Sequence, residues 1–553
     1  MEQDLITGAL YKKMLISGYN NLKNHADEVN DLNVFPIPDG DTGDNMCSTM
    51  YGGIKAITNI DDAPLNTIAQ KISDGMLLGA RGNSGVILSQ MFAGINSVLA
   101  KYETANYAQL IEAYDAGVKS AYNSVSTPVE GTILTVIREA NESAQKKTQS
   151  ASSIHEYLAN YLVEAKTSLD NTPELLDVLK EAGVVDSGGA GIFYIMEGFL
   201  KVFEGEDVIN ETHDAPLMQK QIDFSLFNEN SVMDFGYCTE FLLQLTSNKI
   251  DVNQFSLDEF KEQISVFGNS IVAVKTGTIV KIHIHTLNPG QVLEFAQKYG
   301  EFLTLKIENM TLQHNEKIEI ETQQVFKANK VRKQFAVVAV TNGQGLIDTF
   351  KELGADIVID GGQGRNPSVE VFIRAFDAVN ADTIFVLPNN NNILMAANEA
   401  KKKYTSSDVR VIQSSSLGEG YSVLSCLDYE SENADEIEEN MTNAVKNNVS
   451  GMVSKANRST TIKGKEIVEG NYIGFVHKNI ITTHKERLET AKNLISHFLE
   501  NNDKEFLIIF TGTNPNKNEI ELLENFVETN YKDVEVYITN GGQEVYDYLI
   551  IAE

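Results

Sequence analysis

Twice along its length this chain changes the period of its apolar residues, and that limits the folds open to it more than any other feature. Over residues 1 to about 205, apolar side chains recur at three- and four-residue spacing, as in 66–78, 86–100, 107–123, 131–145, 154–168 and 173–182. Such spacing gathers them on one face of a helix. Three glycine-bearing turns, DGDTGDN, GARGNSG and DSGGAG, interrupt this region, and each stands before an apolar helix. The expectation is an all-α domain over 1–205 whose polar loops meet at one end. A polar stretch over 206–230, rich in Asn, Asp, Glu and Gln, reads as a linker.

From residue 231 the pattern shortens. YCTEFLLQL reads as a strand, LDEFKEQISVFG as a helix, SIVAVKTGTIVKIHIHT as a hairpin around Gly277, the stretch after Pro289 as a helix and EFLTLKIENM as a last strand. The order βαββαβ is that of a split ferredoxin-like α+β domain, expected over 231–325. After a basic bridge at 327–333, the segments FAVVAVT, ADIVID, DTIFVLP, DVRVIQ, FLIIFTG and DVEVYIT alternate with helical stretches. This predicts an α/β domain over 335–553 with a largely parallel sheet. Asp360-Gly361-Gly362-Gln363 and Asn540-Gly541-Gly542-Gln543 each follow a strand, either as traces of a duplicated half-domain or as two similar turns.

A chain of 553 residues is too long for one core, which agrees with several domains. Its 45 basic and 77 acidic side chains leave a formal charge of −32. That balance argues against nucleic acid or an anionic membrane as partner, since phosphate recognition needs a basic stripe. Cys47, Cys238 and Cys426 are odd in number and far apart, so a reducing cytoplasm is the expected compartment. The N-terminus has an acidic, interrupted pattern unlike a signal peptide, and no apolar run approaches the length of a membrane span.

The strongest chemical signal is NVFPIPDGDTGDNM, where Asp39, Asp41 and Asp44 stand at i, i+2 and i+5 in a turn that enters a helix. Magnesium takes oxygen ligands and keeps positions for phosphates and water, so a few carboxylates beside a triphosphate suit it. Carboxylates this crowded repel one another unless a cation joins them. Thr42 and Asn45 can hydrogen-bond, and free N–H groups at a helix start favour a phosphate. An EF-hand does not fit, because Met50 falls where its bidentate glutamate belongs. The alternative is a solvated acidic turn with an N-cap; for the other two glycine turns it is plain punctuation. No G-x-x-x-x-G-K-[ST] phosphate loop occurs.

With P-x-P-D-G-D-T-G-D-N-M, then G-A-R-G-N-S-G, then D-S-G-G-A-G, the N-terminal part resembles the nucleotide-binding subunit of dihydroxyacetone kinases. Across all three domains the chain resembles the fatty acid kinase A family. The resemblance implies ATP as cofactor, with Asp39, Asp41 and Asp44 holding two magnesium ions. It places Thr42, Gly43, Asn45, Asn83 and Ser84 near the nucleotide, along with Asp186, Ser187 and Gly188. It further implies phosphorylation of a fatty acid held by a separate DegV-like lipid-binding partner, giving an acyl phosphate for phospholipid synthesis, and a C-terminal domain resembling DegV-type folds. Val34 stands where the dihydroxyacetone subunits carry an acidic ligand, so Asp44 is expected to take that part.

The chemistry agrees with an acid acceptor: a carboxylate is already ionised at neutral pH, so no general base is needed. Arg81 is the basic candidate for the transferring phosphoryl, with a structural salt bridge as the alternative. A carrier also removes the cost of exposing an acyl tail, at about 0.8 kcal/mol per methylene. The rival readings are a phosphotransferase acting on dihydroxyacetone and a nucleotide-sensing scaffold.

In the middle domain His283 and His285 alternate along KIHIH and so share a sheet face. In a split βαββαβ sheet the third strand runs beside the first, bringing the pair towards Cys238. Three such ligands suit zinc with one open position, and the family resemblance points to the same metal site. The alternative is a small core cysteine with two histidines on a sheet face. An open face of this sheet suggests a homodimer. Finally, Thr341 to Gly343, Asp360 to Gln363, Asn389 to Asn392 and Ser414 to Ser416 follow strands, where open α/β sheets bind ligands. A carrier-docking surface separate from the ATP region is expected there, with ordinary turns as the alternative.

Overall fold

The computed structural model describes residues 5–35, 37, 40–60, 63–148, 153–206, 208, 237–252, 254–309, 326, 331–362, 364–427, 433–501 and 504–553. Two compact units result, one of Met1–Thr212 with Phe326–Glu553, the other of His213–Val325. Almost all of the expected 206–230 linker lies outside the described residues.

The N-terminal part of the first unit is helical: α1 (Gly8–Asn24), α2 (Ala26–Asp31), α3 (Thr42–Ile57), α4 (Leu65–Gly79), α5 (Gly82–Leu99), α6 (Tyr107–Asn123), α7 (Ile133–Lys147), α8 (Ile154–Leu175), α9 (Asp177–Ala182) and α10 (Ser187–Phe203). Local chemistry sets several starts. Asn106 and Gln109 form a reciprocal capping box at α6, and Asp186 accepts from the Gly189 N–H at α10. The apolar stripes meet in one core that includes Met14, Leu22, Met46, Met50, Ile95, Tyr157 and Phe199. No helix among the described residues is long and apolar enough to cross a membrane.

The rest of the first unit is α/β. Strands β5 (Lys333–Thr341), β6 (Ile357–Asp360), β7 (Ala381–Leu387) and β8 (Asp408–Val411) form a parallel sheet in the order β6-β5-β7-β8. A second sheet departs from the expectation of largely parallel pairing. It joins β9 (Val449–Lys455), β12 (Tyr472–Val476), β13 (Asn479–His484), β14 (Phe506–Thr511), β15 (Glu535–Asn540) and β16 (Tyr548–Ala552) in the order β13-β12-β9-β16-β14-β15. Only β14 and β15 pair parallel; the other neighbours run antiparallel. The physical reason is the short connection: β12 and β13 are joined through His477, at φ 51, and a hairpin can only pair antiparallel. Between β9 and β12 in sequence, β10 (Thr460–Ile462) and β11 (Lys465–Ile467) make a separate small hairpin.

The two glycine turns that echo each other in sequence occupy matching places. Thr341 pairs with Asp360 and Thr511 with Asn540, and in each case the following glycine, Gly361 or Gly541, donates its N–H to that threonine's carbonyl at 3.0 Å.

Helical and α/β parts share apolar surface. Ala80 and Val86 belong to the core around Val338, Ile359 and Phe372, and Ile37 to the core around Phe385 and Phe475. Phe35 meets Phe475 edge-on with centroids 5.2 Å apart, Val369 N–H donates to the Ala80 carbonyl at 3.3 Å, and Asn457 donates to the Ile37 carbonyl at 3.0 Å.

The other unit holds β1 (Tyr237–Leu245), α11 (Leu257–Ile264), β2 (Asn269–Thr276), β3 (Ile279–Thr286), α12 (Pro289–Ala296) and β4 (Gly300–Asn309), the element order read from the sequence. The sheet is antiparallel in the order β2-β3-β1-β4. Phe241, Leu243, Val280, Ile282 and Ile284 bury against Phe260, Ile264 and Val292, while Leu303, Leu305 and Ile307 stay exposed on β4.

Candidate functional site

Asp41 takes the N-cap position of α3 but does not cap it. Asn30 does that instead: its Oδ1 accepts from the Gly43 N–H at 2.7 Å and from the Asp44 N–H at 3.4 Å. The close packing requires glycine at 43, since a Cβ there would lie 2.4 Å from the Ala26 carbonyl oxygen. The Asp41 carboxylate is thereby left for other work. It is 8% exposed, and its hydrogen bonds come from neutral amides: Asn366 donates to its Oδ2 at 2.6 Å, and Asn45 also bonds it. Burial pushes the carboxyl up to about 6 from an ordinary 3.8; the Asp44 charge adds to this, and the two amides oppose it. Asp44 itself is exposed in the first turn of α3.

The starts of α5 and α10 come to the same place. Gly82, at φ 57, sits where an added Cβ would lie 2.5 Å from Asn45 Nδ2 and 3.3 Å from Asn366 Nδ2. Arg81 is half-buried at the N-cap position of α5, and half-buried Asn83 and Ser84 lie in its first turn. From α10, the Ser187 hydroxyl donates to the Thr42 hydroxyl at 3.3 Å, and Gly188 is buried in the first turn. Asp186 has a structural explanation. It caps α10, accepts backbone hydrogen bonds from Gly189, Ile133 and Gly188, and is raised to about 6 chiefly by burial.

The structure thus gathers Asp41, Thr42, Gly43, Asn45, the Gly82 turn and Ser187. Asp39 lies outside the described residues. Two residues escaped the sequence reading. Asn30 lies inside the preceding helix α2, and no local signal marks it or Asn366, which is 325 positions from Asp41.

Among the described residues, no three His, Cys, Asp or Glu side chains stand close enough to hold a metal by themselves. The donors at α3 are nonetheless of the kind a hard cation takes, carboxylate and amide oxygens, with phosphates and water supplying the rest. Two amide oxygens here, Asn366 Oδ1 and Asn83 Oδ1, are buried without a hydrogen-bond partner. Leaving such a group unpaired costs about 1–3 kcal/mol, so each would gain from a donor that a ligand or water brought.

In the middle unit the β1–β3 register sets Cys238 opposite His285 and Glu240 opposite His283; the side chains of these residues lie outside the described ones. In the α/β part, Asn342, Gly362, Asn389, Asn390, Ser415 and Ser416 line one pocket beyond the strand ends, so turns from several strands do converge. Gln363 lies outside the described residues.

A DAK2 domain matches residues 36–201, the segment containing all three helix starts. The middle domain of FakA-like fatty acid kinase proteins matches 234–317, and their C-terminal domain matches 336–553. The chain belongs to the FakA-like family of fatty acid kinase proteins, whose DAK2 part supports a kinase. An uncharacterized protein of Staphylococcus saprophyticus is 39% identical over 99% of both chains, and protein YloV of Bacillus subtilis is also 39% identical over 99% of both. Among solved structures, the dihydroxyacetone kinase from C. freundii in complex with AMP-PNP and Mg2+ is 19% identical, covering 35% of this chain and 34% of its own, at a TM-score of 0.28. A fatty-acid-binding DegV family protein from Thermus thermophilus is 10% identical, covering 40% of this chain and 100% of its own, at 0.31. Likenesses this weak carry no argument about the site.

Proposed function

We propose that the chain is the nucleotide-binding component of a fatty acid kinase, transferring the γ-phosphoryl group of Mg-ATP to the carboxylate of a fatty acid presented by a DegV-like partner. The observation that carries this is Asp41: a buried carboxylate with neutral partners, set where three helix starts meet, in a chain of this family. Asp39, Asp41 and Asp44 would hold two magnesium ions. When bound, these supply positive charge for the transferring phosphoryl. The first-turn N–H groups of α5, with those of Thr42 and Ser187, would orient the phosphates, since Asn30 and Asp186 already occupy the next N–H groups of α3 and α10; Thr42, Gly43, Asn45, Asn83, Ser84, Ser187 and Gly188 would surround them. Arg81 is the proposed cationic group for the γ-phosphoryl. A carboxylate oxygen of the acid forms the new bond to phosphorus as the bond to the bridging oxygen of ADP breaks, and no proton must be removed.

The α/β part would dock the carrier through its strand-end turns, and the exposed β4 residues Leu303, Leu305 and Ile307 would pair two copies. We also read the middle unit as ferredoxin-like, with a zinc site at Cys238, His283 and His285; the register that sets Cys238 opposite His285 supports that assignment. Elemental analysis of purified protein should find about one zinc per chain, lost on combined replacement of both histidines. Metal-free protein unchanged by that replacement would end the zinc reading.

The deciding experiment for the kinase is ATP turnover with and without an acyl-loaded DegV-like protein. Formation of acyl phosphate only with the loaded partner is expected. Equal turnover with dihydroxyacetone alone, or nucleotide binding with no turnover in any mixture, would overturn the proposal.

A further inference from the structure

We propose that Asn366, from the α/β part, is a positioning residue of the metal–nucleotide site, so that this site is completed by two regions of the chain far apart in sequence. The inference rests on the magnesium reading of Asp41 given above.

Asn366 is 3% exposed and lies in a segment held on both sides. Before it, Gly362 and Arg365 exchange backbone hydrogen bonds at 3.1 and 3.0 Å, and the Arg365 guanidinium pairs with Glu544 at 2.7 Å. After it, Ser368 caps the helix Val369–Val379, whose first N–H donates to the carbonyl of Ala80, the residue before Arg81. A side chain mounted this way has little freedom. It donates from Nδ2 to Asp41 Oδ2 at 2.6 Å and approaches Asn45 Oδ1 at 3.4 Å, and the same amide stands beside the Gly82 turn. Asp41, Asn45, Gly82 and Asn366 therefore pack around one point.

Two consequences follow from the chemistry. A carboxylate with one oxygen fixed by a neutral donor presents the other in a set direction, and such partners of a metal ligand commonly govern affinity as much as the ligand does. The buried, unpartnered Asn366 Oδ1 is the complementary half: an acceptor ready for a water or hydroxyl that arrives with the cation and nucleotide.

The test uses the full chain and manganese with AMP-PNP as probe, read by electron paramagnetic resonance, so that binding is seen without turnover. Asn366→Ala should weaken manganese binding roughly 10–100-fold with an unchanged melting temperature. In turnover it should raise the magnesium requirement, with rate restored by added magnesium and KM for the acyl carrier unmoved. Binding within about two-fold of the unaltered chain, in Asn366→Ala or in Asn366→Ser should the first fail to fold, would overturn the inference. Asp41→Ala, run alongside, separates the two ideas. If it loses manganese while Asn366→Ala does not, only the composite site fails; if both bind normally, the magnesium reading fails as well.

Discussion

Two buried carboxylates at helix starts of the first unit, Asp41 and Glu419, differ in what stands beside them. Glu419, in the α/β part, is 5% exposed and well supplied: Ser415 N–H donates to it at 2.5 Å, the Ser415 hydroxyl at 3.1 Å, and His477 Nε2 lies 3.5 Å away. Asp41 is 8% exposed and accepts from the Asn45 and Asn366 amides and from its own backbone N–H, with the Asp44 carboxylate acting on it as a like charge. Burial and hydrogen-bond supply are similar; the neighbouring group is not, an imidazole for Glu419 and a second carboxylate for Asp41. A buried carboxylate beside another favours either a proton or a cation.

The contrast can be broken most directly at the acids themselves. Asp41→Ala should lower phosphoryl transfer by roughly 10²–10³-fold or more while the helical core keeps its circular dichroism. Near-normal turnover at ordinary magnesium would remove Asp41 from the site.

The pH dependence sharpens the same comparison. Asp41 titrates near 6 in the fold against an ordinary 3.8, so the benefit of its neutral form is complete only at low pH. It is lost as pH rises through about 6, a cost of about 3 kcal/mol for the metal-free chain. Magnesium-induced thermal stabilisation should therefore grow between about pH 5 and about pH 7. Asp41→Asn should flatten that growth. Asp186, raised to about 6 by burial, should leave a metal-independent decline in the same window. A magnesium effect with no pH dependence in the unaltered chain would contradict the assignment.

Gly82→Ala tests the packing between helix starts. The left-handed backbone alone costs about 1–2 kcal/mol, and the new methyl must displace the Asn45 amide. Calorimetry should show the lower melting temperature, with a smaller loss of turnover than Asp41→Ala gives. Smallest of all is Glu419→Gln, expected to cost about 1–2 kcal/mol of stability and leave phosphoryl transfer within error. A large loss of rate there would erase the distinction between the two turns.

The helical region was legible because its information is local. Apolar spacing marked α4 to α7 within a few residues, while α8 runs on to Leu175 past the expected end at 168; Asp41, Gly82 and Ser187 stand at the starts of helices that their own sequence turns announce. The second sheet of the α/β part was misjudged for the opposite reason. Strand pairing is non-local, and the segments that become β9, β12 and β13 carried no periodic sign of belonging with β14 and β16.

Side-chain chemistry and periodicity, both properties of neighbouring residues, are enough to specify three helix starts rich in glycine and oxygen donors, and to mark Asp41 among them. Nothing in a run of neighbours states that Asn366 will lie 2.6 Å from that carboxylate, or that Ala80 and Val86 will sink into a core built on β5 and β6. Those contacts exist because the helical and α/β parts bury apolar surface against each other. That burial is non-directional, and so is invisible in the local pattern of the chain, yet it carries a distant amide to the Asp41 carboxylate.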